Sequence, residues 1–212
     1  MEADFWHRKW ESNEIGFHEG VPNALLVKYF EELELAPGSR VFVPLCGKTQ
    51  DLNWLLAQGC RVAGAELSEV AVRQWFEESG VTPTVGERGE LKHYSAPDVD
   101  IFVGDVFRLS REMIGEVDAV YDRAALVALP EDTRVRYTAH LRSITGDASQ
   151  LLICFEYDQS VMEGPPFSIS DAEVKRHYEA AYVPGLRERR DVPGGLKGRC
   201  AARENVWLLR KR

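Results

Sequence analysis

Cysteine, long apolar runs and basic charge are all in short supply in this chain. Four cysteines, Cys46, Cys60, Cys154 and Cys200, stand far apart with no C-x-x-C pair, and three of them lie in apolar surroundings. That spacing excludes a disulfide framework and suits reduced thiols. No stretch reaches the ~18 consecutive apolar residues of a membrane span. Met1-Glu2-Ala3-Asp4-Phe5-Trp6 offers neither a basic start followed by an apolar run nor a cleavage site, so a soluble, unexported, cytoplasmic protein is expected. Acidic residues (34) outnumber Lys plus Arg (26), for a net charge of -8. Such a surplus repels phosphate backbones and anionic lipid, so neither nucleic acid nor a membrane is an expected partner. The five histidines, His7, His18, His93, His140 and His177, lack H-E-x-x-H or comparable ligand spacing, and no metal is expected. Internal repeats, low-complexity tracts and heptads are absent, so 1-212 reads as a single domain and a monomer.

What is present is alternation. Asn23–Leu35 places Leu25, Leu26, Tyr29, Phe30 and Leu33 at helical spacing before Pro37-Gly38, which predicts an amphipathic helix. A short branched and aromatic run, Arg40–Pro44, is followed by a turn and by Asp51–Gln58 with Leu52, Leu55 and Leu56 on one face. The pattern recurs at once in Arg61–Ala65 and Val70–Ser79, with Ser68 as cap and Gly80 as stop. Tandem β-α units imply parallel strands joined by right-handed crossovers. Further strands are expected at Ile101–Val103, Ala119–Tyr121, Leu151–Glu156 and Asn205–Leu209, and helices at Glu131–Ile144 and Asp171–Ala181. The whole reads as a doubly wound α/β fold. Thr82–Asp100 fits either a short hairpin or an inserted loop, and Asp158–Phe167 a loop.

In an open parallel sheet, ligands bind beyond the carboxyl ends of the strands. The first such end is Pro44-Leu45-Cys46-Gly47-Lys48-Thr49, where Gly47 lets backbone approach a ligand. The second is Glu66, 21 positions after Leu45, the usual offset of an acid that accepts hydrogen bonds from ribose hydroxyls. Together they describe a nucleoside site. A dinucleotide needs G-x-G-x-x-G to wrap its pyrophosphate, and this turn has one glycine, which disfavours a nicotinamide-dependent oxidoreductase. Gly47-Lys48-Thr49 imitates the end of a P-loop, but position 42 is Phe42 rather than glycine. S-adenosylmethionine carries no phosphate, and an acidic site favours its sulfonium. Gly104-Asp105-Val106-Phe107 ends a third strand, an acid and apolar residues suited to the edge and face of an adenine.

Several motifs in order then carry a resemblance: Phe5-Trp6-His7-Arg8-Lys9-Trp10, Gly16-Phe17-His18, Val43-Pro44-Leu45-Cys46-Gly47-Lys48, Glu66-Leu67-Ser68-Glu69 and Tyr121-Asp122-Arg123-Ala124-Ala125-Leu126. The chain resembles the thiopurine S-methyltransferase family from its N-terminus to about Pro130. The likeness is weaker through Gly164-Pro165-Pro166-Phe167-Ser168 and fades after Tyr178. It implies a Rossmann-like class I methyltransferase that uses S-adenosylmethionine, with residues 1-22 as a helical lid on an α/β core at 23-212. It implies that Trp10, Leu45, Glu66 and Arg123 contact S-adenosylmethionine, with Asp105 and Val106 at the adenine. Phe17 and Arg123 would contact the acceptor, a small-molecule thiol or a selenium or tellurium compound. No obligate catalytic acid or base is implied. A further substrate arginine has no unique counterpart among Arg187, Arg189, Arg190 and Arg199.

Blander readings compete at each position. Trp6 and Trp10 are four apart and could share the apolar face of a helix; Trp6 keeps that role. Arg123 follows Asp122, which would give a surface ion pair of little energetic value. Cys46 has no neighbouring base to activate it and reads as a small buried thiol. A protein that keeps the cofactor pocket without transferring methyl groups is the non-enzymatic alternative.

Overall fold

The computed structural model describes residues 3–16 and 18–212. In chain order the elements are α1 (Ala3–Glu11), α2 (Ala24–Tyr29), β1 (Arg40–Pro44), α3 (Gln50–Ala57), β2 (Arg61–Glu66) and α4 (Glu69–Ser79). A hairpin of β3 (Thr84–Arg88) and β4 (Leu91–Ala96) leads into β5 (Val99–Val103). A single turn, α5 (Arg111–Ile114), precedes β6 (Ala119–Arg123), α6 (Glu131–Thr145), β7 (Ser149–Tyr157) and α7 (Asp171–Tyr178). The final elements are β8 (Tyr182–Asp191) and β9 (Ala202–Lys211).

The strands form one sheet in the order β3-β4-β5-β2-β1-β6-β7-β9-β8. Its centre, β5 to β7, is parallel, and its flanks are antiparallel. The chain moves outward from β1 through β2 to β5, then returns to lay β6 on the other side of β1. That reversal puts the topological switch point, where loops leave in opposite directions and a crevice opens, between β1 and β6.

Period-two alternation sorts the strand side chains onto two cores. Val41, Val43, Val62, Ile101, Tyr121 and Leu151 pack with Leu25, Leu52, Leu55, Val72 and Trp75 of α2, α3 and α4. Phe42, Ala63, Phe102, Val120 and Leu152 face the opposite way, onto Tyr137 and Leu141 of α6 and Val174 and Tyr178 of α7. Both faces being covered explains why the central strands read as continuous apolar runs. Local chemistry sets the helix ends: the Thr49 hydroxyl accepts from the Asp51 N–H to start α3, the Ser68 hydroxyl starts α4, and Gly80 closes it in the left-handed region.

Two boundaries need correction, and one open alternative resolves. The helix foreseen over 23–35 is α-helical only to Tyr29; a 3-10 turn follows at Phe30–Leu33, and Glu34 at φ 55 ends it. The tighter turn keeps Leu33 buried while Phe30 meets Trp54 edge-on at 5.1 Å. The segment 82–100 is a hairpin whose second strand joins the main sheet. The last strand, β9, extends beyond the expected Asn205–Leu209 to Ala202–Lys211, and Arg187–Arg190 lies on its ten-residue edge partner β8.

Cys46, Cys60 and Cys154 are buried free thiols, and Cys200 is half-buried. No helix among the described residues is long and apolar enough to cross a membrane.

Candidate functional site

Four neighbouring strands, β5, β2, β1 and β6, end on the same side of the sheet. Their last residues or following turns carry Asp105, Glu66, Leu45 and Arg123. Sequence positions spread over nearly eighty residues are thereby brought to adjacent strand ends, at strand spacings of about 4.8 Å.

Leu45 leaves β1 at φ 48, a left-handed conformation that a non-glycine residue adopts only when its surroundings impose it. The Cys46 N–H donates to the Ala65 carbonyl at 2.9 Å, extending the pairing with β2 by one bond. Gly47, at φ 53, then aims its N–H at Glu66 Oε2, 2.7 Å away. Glu66 Oε1 accepts from the Ser68 N–H at 2.8 Å. The carboxylate is 6% exposed. Burial pushes its pKa above the ordinary value, and the backbone N–H groups of Ser68, Gly47 and Leu67 oppose the shift. Each carboxylate oxygen retains a lone pair after these bonds, so the group can accept further donors.

Helix α1 lies across this turn. Trp10, in its last turn, is 4% exposed, and a Cβ built on Gly47 would come within 2.9 Å of the Trp10 ring. Gly47 thus meets two requirements, the left-handed backbone and contact with an indole. Trp6 stands edge-on to Phe5 at 5.2 Å on the same helix. Between α1 and the ends of β2 and β5 runs a cleft of roughly 420 Å³, whose walls include His7, Glu11, Leu67, Ser68, Lys92 and Val103. Leu67 was not singled out in sequence; its place directly after the strand-end acid was the available signal.

At the end of β5, Asp105 is exposed and caps the next turn, accepting from the Phe107 N–H at 3.0 Å. Val106 and Phe107 are half-buried. His140 Nε2 donates to the Val106 carbonyl at 2.9 Å, and the Arg136 guanidinium lies 4.6 Å from the Phe107 ring centre.

Asp122 and Arg123 do not form the surface pair that adjacency suggests, because successive strand residues point to opposite faces. Asp122 is fully buried beneath α6, accepting from the Tyr137 hydroxyl at 2.7 Å and the Leu126 N–H at 3.1 Å. Arg123 instead reaches Glu19, an ion pair spanning 104 positions that no local pattern announces. Glu19 is also held by Asn23 Nδ2 at 3.3 Å, and the Asn23 N–H donates to Asp51 Oδ1 at 2.7 Å. Asp51 Oδ2 accepts from the Tyr121 hydroxyl at 2.9 Å. This chain of contacts fixes the segment ahead of α2 to the switch point.

The buried Asp122 carboxyl makes a prediction about pH. Burial raises its pKa to about 6 from an ordinary 3.8, against the bonds from Tyr137 and Leu126. A raised folded-state value means the native protein holds this proton more tightly than the unfolded chain does. The resulting stabilisation is complete below about pH 4 and lost as pH rises through about 6. Asp122→Asn removes the titration. Its stability relative to the unsubstituted protein should therefore rise by about 2 kcal/mol between pH 4 and pH 7. Urea unfolding at both pH values checks this, and an unchanged difference would contradict it.

Of the four arginines left open in sequence, three are engaged on β8. Arg187 pairs with Glu32, Arg189 with both Asp171 oxygens and Arg190 with Glu204. Arg199 lies exposed in the 192–201 loop, near enough to help lower the Lys197 pKa, after burial. Phe17, expected beside the acceptor, lies outside the described residues. Among those residues no group of His, Cys, Asp or Glu is placed to hold a metal ion. Burial and the nearby Glu66 push the Cys46 thiol pKa well up, which keeps it protonated and disfavours a nucleophilic role.

The family model for thiopurine S-methyltransferase (TPMT) matches residues 1–212. The chain belongs to the thiopurine S-methyltransferase family. A thiopurine S-methyltransferase of Xanthobacter autotrophicus is 57% identical over the full length of both chains. One of Gluconobacter oxydans is 49% identical, over 97% of this chain and 93% of its own. Among solved structures, magnesium protoporphyrin IX methyltransferase of Synechocystis, with bound SAH, matches at a TM-score of 0.65 and 14% identity, covering 99% of this chain and 100% of that one. As a thiopurine S-methyltransferase family member on a class I methyltransferase fold, this protein is an S-adenosylmethionine-dependent methyltransferase.

Proposed function

We propose that the protein transfers a methyl group to the sulfur of thiopurines and related aromatic or heterocyclic thiols, with selenium and tellurium compounds as further acceptors. The observation that carries the cofactor part is the Gly47–Glu66 arrangement: a one-glycine turn whose N–H is already taken by a buried carboxylate. It offers no cradle for a phosphate and fits a nucleoside bearing a cation. Bound S-adenosylmethionine supplies a sulfonium-activated methyl, which an acceptor thiolate takes by in-line displacement, the electrons of the broken bond remaining on the departing sulfur.

The residues of this chain bind, orient and exclude water. Glu66 accepts the ribose hydroxyls, Trp10 and Leu45 hold the methionine end, and Asp105 and Val106 meet the adenine. Arg123, at the end of β6, orients an anionic acceptor against the methyl. Aromatic thiols and selenols ionise readily, so alignment and desolvation serve where a general base would otherwise be needed. The thiopurine names of the relatives support this acceptor class. A coupled S-adenosylhomocysteine assay against 6-mercaptopurine, thiophenol, selenite and tellurite tests it. Release with the thiols is the expected result, and release with none of the four would overturn the reading.

Helix α1 acts in this account as a lid, since it contributes Trp10 over Gly47 and one wall of the cleft. Proteolysis near Gly16 should slow when S-adenosylhomocysteine is added; an unchanged rate would rule the lid out.

A further inference from the structure

We propose that Glu19 sets the charge selectivity of the acceptor site by standing on Arg123 where an anionic group of the acceptor would otherwise stand. The inference rests on the reading that Arg123 faces the acceptor. Its own basis is the part-buried pair between the Arg123 guanidinium, with 14% of its side chain exposed, and the Glu19 carboxylate, with 43% exposed. The cation is thus seated in the fold, and the anion covers it from the solvent side.

Glu19 is held in place rather than merely nearby. Its second oxygen receives Asn23 Nδ2. Asn23 is itself fixed by two roles: its Oδ1 caps α2 through the N–H groups of Leu25 and Leu26, and its N–H donates to the buried Asp51. The segment that follows the carboxylate faces solvent. Gly20 and Val21 are exposed, and nothing lies within 4 Å of a Cβ built on Gly20.

The consequence follows from charge. Before an acceptor carrying a carboxylate can reach Arg123, it must displace Glu19 or share the guanidinium with it, and two like charges so placed in a partly desolvated site repel. A thiol without a second charge brings only its reacting thiolate near Glu19 and meets less opposition. Glu19 therefore biases the enzyme toward acceptors whose only negative charge is the reacting thiolate.

The test compares 4-mercaptobenzoate with 4-methylthiophenol in the unsubstituted protein and in Glu19→Gln, which keeps a partner for Asn23 but removes the charge. The ratio of kcat/KM for the carboxylated thiol to that for the neutral one should rise about 10-fold in Glu19→Gln, through KM. A ratio unchanged or lowered overturns the proposal. A merely structural role for Glu19 would move both acceptors together. Calorimetric affinities of 4-mercaptobenzoate for the S-adenosylhomocysteine complexes of both proteins supply a second readout. If neither thiol is methylated, the acceptor reading fails, and these affinities still decide Glu19: tighter binding to Glu19→Gln upholds the gate, and equal binding overturns it.

Discussion

Glu66→Ala should weaken S-adenosylhomocysteine binding by about 100-fold, measured by calorimetry. A hydrogen bond to a charged group contributes about 1.5–3 kcal/mol, so loss of the ribose contacts alone accounts for about two decades. The substitution also strips the Gly47 and Ser68 N–H groups of their common acceptor. Both are buried backbone donors, and an unsatisfied one costs about 1–3 kcal/mol, so the melting temperature should fall as well. Glu66→Gln separates the two effects. Its amide oxygen still accepts from one N–H, but its NH2 faces the other donor, and its affinity should lie between those of Glu66→Ala and the unsubstituted protein. Unaltered affinity in Glu66→Ala would remove the ribose assignment.

Gly47→Val should destabilise the fold by about 4 kcal/mol, from two sources that a double-mutant cycle can resolve. Valine at φ 53 is strained whatever the space around it, at about 1–2 kcal/mol or more. Its Cβ would also stand 2.9 Å from the Trp10 ring, and overpacking of this kind costs about 1–3 kcal/mol. In a Trp10→Ala background the second contribution disappears, and the substitution should cost about half as much in urea unfolding. Equal costs in the two backgrounds would show that α1 does not rest on the β1–α3 turn. Because Trp10 is also assigned to the methionine end of the cofactor, Gly47→Val should lose S-adenosylhomocysteine affinity together with stability.

The strands and turns behind these two predictions were legible in sequence because their signals are local. Val41–Pro44 and Val62–Ala65 are buried on both sides and read as short apolar runs. Glu66 lies at the fixed offset that one β-α-β unit imposes. Antiparallel flanks gave weaker signals. Every residue of β3 is exposed, so the segment carries no alternation to distinguish a strand from a loop. The outer strand β8 spends its arginines on Glu32, Asp171 and Glu204, and a row of charges paired across space looks in sequence like solvated surface. Glu19 and Asp51 escaped for a related reason. Their partners Arg123 and Tyr121 are 104 and 70 positions away, and only the packing of α2 and α3 against the switch point brings them together. Arg123 itself was singled out, while its neighbour in sequence, Asp122, misled; the pleat of β6 sends the two side chains apart.

Amide chemical shifts of the labelled protein, recorded with and without S-adenosylhomocysteine, locate the cofactor on the sheet. The largest changes should fall at the carboxyl ends of four adjacent strands: at Leu45–Gly47, Glu66–Ser68, Asp105–Phe107 and Arg123–Ala124, together with Trp10 above them. Saturable changes confined to β8, β9 or the amino ends of the central strands would contradict it.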